Sequence, residues 1–418
     1  MLYYPVVWVI TIYTSSIGGA ANLNLSDYSN KTIYFDMNDT IGTPIQLNST
    51  QHAIFDGLNN TFTCNSNFFE IQGNCSHIEI RNFVANYNGN QQIYFSKVSI
   101  GNNSITDTDI TISYIYIHHN HITGFPYGIS FEGINGIVRY CKVFNNYVYE
   151  AKQTFQTIGN ESSDGYGIHL ANAQYCEVID NYIVEADRHS IYHAYGHHNR
   201  IAGNTIIRHR KNVSSNGNSV PRSAIPIYRN SRDVVVENNH FINCYNTCIH
   251  IYEEYTSGSN DSHADQRSIV IRNNSFLQNE EAEAGRAFSL NEYLPAIMVG
   301  YNVYQASYDW PTMLDDITIM NNHFEFINTF RIQAIRVYEC LHLVIKGNVL
   351  VFGFSRKETI PATYSSNNFI LINFLQYSHK KYDYDFKKQF SDAVDGTDAN
   401  GFHCRSRAVY CRAGEIHY

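Results

Sequence analysis

Nine times the chain repeats one eight-residue phrase: apolar, any, apolar, any, any, Asn, any, apolar. The copies start at Val98, Ile115, Cys141, Cys176, Asn199, Val234, Ile269, Ile317 and Leu343. Their sixth residue is Asn103, Asn120, Asn146, Asn181, Asn204, Asn239, Asn274, Asn322 and Asn348. Self-similarity this regular marks a repeat architecture, in which each unit buries its apolar face only against its neighbours. The apolar first and third residues around a variable second one give the alternation of a half-buried strand. Val234-Val235-Val236 and Ile317-Thr318-Ile319 are examples. An apolar residue such as Ile122, Ile183, Phe241 or Phe324 then opens the next strand. Asn suits the corner between them, since it tolerates left-handed backbone angles. Stacked copies can also pass amide hydrogen bonds along the axis.

Between the phrases runs a second ladder: 128–131, 167–170, 190–193, 224–227, 248–251, 287–290 and 334–337, each alternating in the same way. Successive phrases lie 17, 26, 35, 23, 35, 35, 48 and 26 residues apart. Intervals of 23 and 26 suit one bare coil of three short strands, and the longer ones are that coil with loops inserted. The interval of 17 is too short, so either the Val98 or the Ile115 copy is accidental, or that coil is irregular. Strands that return once per coil pair with the coil below at about 4.8 Å. The expectation is an all-β chain, a parallel β-helix of about eight to ten coils over 78–375. Residues 22–77 and 376–418 are candidate caps for its open ends. Cys141 and Cys176 stand at the first phrase position and should be buried. Cys64 with Cys75, or Cys404 with Cys411, could close small loops.

The phrase and its second ladder resemble the right-handed parallel β-helix repeats of the pectin-lyase-like superfamily. That resemblance covers roughly residues 78–375 and is specific for fold. It is unspecific for function, because the superfamily includes polysaccharide lyases, uronate epimerases, glycoside hydrolases, phage tailspikes and surface proteins.

The outward residues of the second ladder are expected to be Ser130, His169, Tyr192, Pro226, His250, Ser289 and Arg336. Glu132, Ala171, Ala194, Tyr228, Tyr252, Asn291 and Tyr338 follow two positions on. Rows of Tyr, His and Arg suit a sugar chain, whose pyranose faces stack on rings. Arg188 to Arg232 contains eight Lys or Arg, five His and no Asp or Glu, in a chain of net charge −9. A basic patch on an acidic protein should attract an anionic partner, while the overall charge argues against a nucleic-acid binder. A uronate-containing polysaccharide fits both patch and resemblance.

Lyase or C5-epimerase chemistry on such a polymer removes a proton beside a carboxylate. It needs a cation or donor for the developing enolate, a base, and an acid for the leaving oxygen. Arg188 or Arg222 is the expected carboxylate ligand, His169 or His189 the base, and Tyr192 the acid. Tyr228, Arg229, His250, Tyr252 and Arg336 are expected to line neighbouring sugar subsites. His193 falls at an inward position, so a core role competes with a catalytic one. A metal is a weaker expectation. His118, His119 and His121, or His193, His197 and His198, match no strong zinc spacing. Calcium, which the resemblance implies for some lyases, would draw on carboxylates such as Glu253, Glu254, Asp261, Asp265 and Glu292.

The alternatives are a β-helix glycoside hydrolase or a non-catalytic glycan-binding surface protein. Inverting hydrolysis needs two carboxylates about 6.5–9.5 Å apart. The ladder rows offer Glu132, with Glu253, Glu292 and Glu339 flanking. The apolar run 6–13, followed by small residues at 18–21, resembles a secretory signal over residues 1–21, although the usual Lys or Arg before the run is missing; a buried first strand is the alternative. Eleven Asn-x-Ser/Thr sequons fit a secreted or cell-surface glycoprotein. No other run is apolar for long enough to span a membrane, and the oligomeric state is left open.

Overall fold

The computed structural model describes residues 10–14, 27–99, 111–133, 136–154, 156–157, 160–161, 165–209, 223–252, 265–279, 286–287, 292–293, 295–300, 313–327, 334–337, 340–353, 372–374, 409–412 and 416–417. Among them there is no helix, and three long sheets carry almost all of the strands. Each turn of the chain contributes one short strand to each sheet and then returns to pair with the turn before. The phrase sheet stacks twelve parallel strands, from Ile10–Tyr13 through Thr111–His118 and Arg232–Glu237 to Leu343–Lys346. The strands after each Asn, such as His121–Thr123 and His240–Ile242, form a second sheet. The ladder strands, among them Tyr94–Ser99, Tyr127–Glu132, Tyr166–Ala171, His189–Ala194, Ile225–Tyr228 and Ile249–Tyr252, form a third. The coils start N-terminal to residue 78, where the repeat first becomes legible, with strands at Lys31–Tyr34, Asp39–Ile41 and Ile45–Asn48. At the far end Val409–Arg412 and Ile416–His417 pair antiparallel to the last coil and end the parallel stack.

One continuous apolar core fills the space between the sheets. In the first coils it is aromatic, with Phe35, Phe55, Phe62, Phe68, Phe69, Phe83 and Phe95 fully buried and in mutual ring contact. Later coils use Ile and Val, with Phe241, Phe276 and Phe324 stacked at 4.8 and 4.7 Å. Cys141 and Cys176 are in this core as expected, at 2% and 1% exposure. Cys64 and Cys75 are buried free thiols, so the loop closure expected of them is absent. Burial pushes the Cys64 thiol up to about 12.

The repeated asparagines are internal, and the ladder they were expected to make is present. From Asn120 through Asn146, Asn181, Asn204, Asn239, Asn274 and Asn322 to Asn348, each backbone N–H and each Nδ2 donates to the Oδ1 of the next coil's Asn, at 2.9–3.1 Å. Each Nδ2 also donates to a carbonyl of the preceding coil, as Asn239 does to Ile201 at 3.0 Å. These side chains satisfy the backbone at a bend where strand pairing is interrupted and no water enters.

The left-handed residue was expected at the Asn itself, and it is the residue before it. His119, Asn145, Asp180, Gly203, Asn238, Asn273, Asn321 and Gly347 all have φ between 54° and 66°. The reason is steric direction: a left-handed step just before the Asn turns its side chain into the coil. The Val98 copy is the accidental one. Val98 lies in the ladder sheet, paired with Ile71 and Phe131, whereas Ile115 pairs with Ile78 in the phrase sheet.

Candidate functional site

Strand register sets the outward row of the ladder sheet. Glu70 pairs with Lys97, Lys97 with Ser130, Ser130 with His169, and His169 with Tyr192. Further on, Pro226 pairs with His250, His250 with Met298, and Met298 with Arg336. The expected ladder segment 287–290 is replaced by Ile297–Val299, so Met298 occupies the place expected for Ser289. Residues 288–291 and Tyr338 lie outside the described residues. Two positions beyond this row, Glu132, Ala171 and Ala194 align as expected, and Tyr228 pairs with both Ala194 and Tyr252.

His169 is the hub of the row. Its Nδ1 lies 2.9 Å from Ser130 Oγ, which in turn donates to Glu132 Oε1 at 2.9 Å. The His169 and Glu132 side chains are only 12% and 16% exposed, yet they reach solvent, unlike most of their neighbours. The His169 ring sits 4.5 Å from Tyr192 and 5.1 Å from Tyr166. Burial, then the positive charges of Arg188 and Lys97, lower its pKa to about 3. It is therefore a neutral imidazole held beside two cations. The Arg188 guanidinium lies 5.2 Å over the Tyr166 ring, and the Lys97 ammonium 5.0 Å over Tyr94.

From this hub an aromatic seam runs along the sheet. Tyr94, Tyr127 and Tyr166 succeed one another at 4.3 and 5.2 Å, and Tyr166 meets Tyr192 edge-on at 5.1 Å. Tyr192 meets Tyr228 at 5.0 Å, and Tyr228 stacks on Tyr252 at 5.2 Å. Sequence reasoning missed the Tyr94–Tyr127–Tyr166 part and Lys97. Tyr127-Gly128 and Tyr166-Gly167 carried the first signal. Lys97 was hidden because Val98 had been counted as the start of a phrase.

Other expected residues fall differently. His189 lies opposite Tyr166, stacked on it at 5.4 Å, and is 2% exposed with Nδ1 2.6 Å from the Ser223 carbonyl. It is packed behind the row. His193 is inward, fully buried, and bonded to Ser231 Oγ at 3.1 Å and to Asn199 Nδ2 at 2.9 Å, so it is a core histidine. His250 is 5% exposed, stacks on Tyr252 at 4.2 Å and donates Nε2–H to the Gly300 carbonyl. Tyr228 and Arg336 are also buried. Arg229 lies 5.1 Å over Tyr228 and donates to Tyr195 Oη at 3.2 Å. Arg222, Glu253 and Glu254 lie outside the described residues, as does Asp261.

The described part of the basic stretch 188–232 does not form one patch, and Arg210, Lys211 and Arg222 lie outside the described residues. The stretch spans more than one coil, so the winding sends its side chains to different faces. Arg200 is on the phrase sheet, bonded to Glu237 at 2.7 Å, while Arg188 and Arg229 adjoin the ladder. Among the described residues no three His, Cys, Asp or Glu side chains converge to hold a metal ion. His118 Nδ1 and His119 Nδ1 are 2.7 Å apart, and His118 is bonded to Glu79, but His121 is on another sheet against Tyr147. The His197 and His198 Nδ1 atoms likewise meet each other, at 2.8 Å. The carboxylates expected for calcium lie outside the described residues or have no described side chain.

The three parallel sheets and the once-per-coil register decide the architecture. The chain is a right-handed parallel β-helix protein. No family model and no curated protein sequence matches it. Solved structures with a similar course include an alginate lyase from Paenibacillus sp. str. FPU-7, at 14% identity and TM-score 0.40, covering 81% of this chain and 94% of that one. PfbA, a surface adhesin of Streptococcus pneumoniae, is similar at 9% identity and TM-score 0.45, covering 83% and 93%. The enzymatically active domain of the bacteriophage CBA120 tailspike protein 2 is similar at 12% identity and TM-score 0.43, covering 80% of this chain and 48% of that one. These likenesses assign none of those activities to this chain.

Proposed function

We propose that this β-helix is a secreted carbohydrate-active protein that acts as a lyase or C5-epimerase on a uronate-containing polysaccharide. The observation that carries the reading is one juxtaposition: neutral His169 beside Tyr192, with Arg188 and Lys97 close enough to act on its charge. Removing the proton next to a sugar carboxylate needs an unprotonated base, and His169 is held in that form. The enolate that develops is dianionic, and two cations in a half-buried site stabilise it more than they would in water. Tyr192, on the next coil, supplies the acid for a leaving glycosidic oxygen or returns a proton to the sugar.

Burial is the larger cause of the low basicity of His169, and the charges of Arg188 and Lys97 add to it. A substrate carboxylate bound between the two cations offsets the part that their charges contribute, so the base strengthens to that extent when an acidic sugar is present. A neutral sugar would leave the base weak. Hydrolysis is less well supported, because Glu132 is engaged by Ser130 and the other carboxylate of the row, Glu70, stands two coils away and accepts from Gln46 and Asn67. Tyr192, Tyr228 and His250 are all nearly buried, Tyr192 at 8% exposure, so contact with the polymer centres on His169 and Glu132 and reaches Tyr192 only beside the His169 ring.

The test is incubation with polymannuronate, polyguluronate, polygalacturonate and hyaluronan. Ultraviolet absorbance from unsaturated uronate identifies a lyase, and solvent deuterium at C5 without cleavage an epimerase. New reducing ends without that absorbance mean a hydrolase, and binding without any change to the polymer means a recognition protein. Activity that survives in both H169Q and Y192F refutes the site, and failure to bind any of the four polymers refutes the substrate class.

A further inference from the structure

Ser130 is fully buried and has no sugar-binding role in the reading above, and Glu132 has only a contact there, yet both are joined to its central residue across two coils. Ser130-Phe131-Glu132 is an alternating strand, so the two polar side chains share the outward face while Phe131 is in the core. Register puts His169 directly opposite Ser130 on the next coil. The resulting chain is Glu132 Oε1, Ser130 Oγ, His169 Nδ1, with both links at 2.9 Å.

The proton inventory of this chain has one solution when Glu132 is a carboxylate. A carboxylate only accepts, so the single hydroxyl proton of Ser130 goes to Glu132. Ser130 Oγ is then an acceptor towards His169, and the proton in that contact must be carried by Nδ1. Neutral His169 is thus the Nδ1–H tautomer, and its lone pair is on Nε2. The direct Nδ1 to Glu132 distance of 3.7 Å is too long for a hydrogen bond, so the hydroxyl is a required intermediary. Tyr127 at 6.1 Å, Tyr166 at 5.1 Å and Tyr192 at 4.5 Å surround the ring and hold its orientation.

We propose that Ser130 and Glu132 are positioning residues that lock His169 in the Nδ1–H tautomer and so make Nε2 the basic atom. This rests on the reading of His169 as the base, and it separates His169 from the other candidate. His189 also directs Nδ1 to an acceptor, the Ser223 carbonyl, but it is packed out of reach of substrate. His250 is held the opposite way, with Nε2–H on the Gly300 carbonyl. Ser130 is fully buried, so its effect on the reaction passes through the tautomer alone.

Nitrogen-15 NMR of the full chain, labelled at histidine, reads the tautomer without any activity. The His169 signal is the one lost in H169Q. The expected wild-type pattern is a protonated Nδ1 and an unprotonated Nε2 that persists at mildly acidic pH. S130A should give a mixture of tautomers, and S130T, which restores the hydroxyl, should recover the wild-type pattern. On whichever uronate polymer is turned over, S130A should lower kcat at least tenfold with KM within about twofold, and S130T should regain most of that loss. A wild-type Nε2–H tautomer, or an S130A spectrum like the wild type, overturns the relay. A correct NMR pattern with no turnover of any uronate leaves the relay standing and removes the proposed reaction instead.

Discussion

Replacing Asn239 by Ala tests whether the Asn ladder holds the coils together. Asn239 is completely buried in the middle of the stack. Its Oδ1 accepts the backbone N–H and the Nδ2 of Asn204, both at 2.9 Å, and its own Nδ2 donates to the Ile201 carbonyl at 3.0 Å. The Ala variant leaves those three buried groups without their partners. At about 1–3 kcal/mol for each such group, and with some relief from a water entering the space, the expected loss is about 4 kcal/mol. Asn120, at the start of the ladder, accepts only the Phe83 N–H and donates to the Ile80 carbonyl, so N120A strands two groups and should cost less. N239D keeps the volume but turns an acceptor toward the Ile201 carbonyl and Asn274 Oδ1, and should be at least as damaging as N239A. Urea unfolding followed by far-ultraviolet circular dichroism measures all three. A loss below about 1 kcal/mol for N239A, or a harmless N239D, would refute the idea that polar satisfaction, rather than shape, is what these residues supply.

Burial lowers the His193 pKa to about 4, so the unfolded chain takes up a proton near 6.5 that the folded chain refuses. Stability from this group is complete above pH 6.5 and falls as pH drops from there to about 4, by roughly 3 kcal/mol in all. A plot of unfolding free energy against pH that is flat over that window contradicts the buried neutral imidazole. Glu237 accepts from Arg200 and Arg272 at 2.7 Å each, and these bonds outweigh burial and hold its carboxyl below the usual range. Both arginines are partly solvated, so E237Q is expected to cost about 1 kcal/mol, and the difference from wild type should vanish as pH falls through the carboxylate range. Y192F should lower kcat by roughly 10²–10⁴ if its hydroxyl is the acid, with binding of the polymer measured by calorimetry unchanged. Weakened binding at unchanged kcat would make Tyr192 a contact residue only.

Much of this molecule was legible in the chain. Alternation along a strand has period two and depends only on near neighbours, so the inward and outward sets could be read off for Ser130, His169, Tyr192 and His250. It likewise put Cys141 and Cys176 in the core and His193 at an inward position, and the fixed Asn positions foretold a ladder. The left-handed corner was readable too, in retrospect: the residue before the ladder Asn is His, Asn, Asp or Gly in every described copy.

What only the tertiary structure decided is which residues meet between coils. That depends on loop lengths and on where each turn resumes its strand, and no local pattern records either. It made Val98 part of the ladder sheet and so brought Lys97 beside Ser130, and it put Met298 where Ser289 was expected. It sent Arg200 to a different sheet from Arg188 and so dispersed a basic stretch that is continuous along the chain. It also packed His189 away while leaving the edge of His169 in reach of solvent. The amino-acid pattern determined the β-helix, because every coil repeats the same local alternation. The candidate site was decided by stacking, because its parts come from separate turns brought 4.8 Å or so apart only when the coil closes.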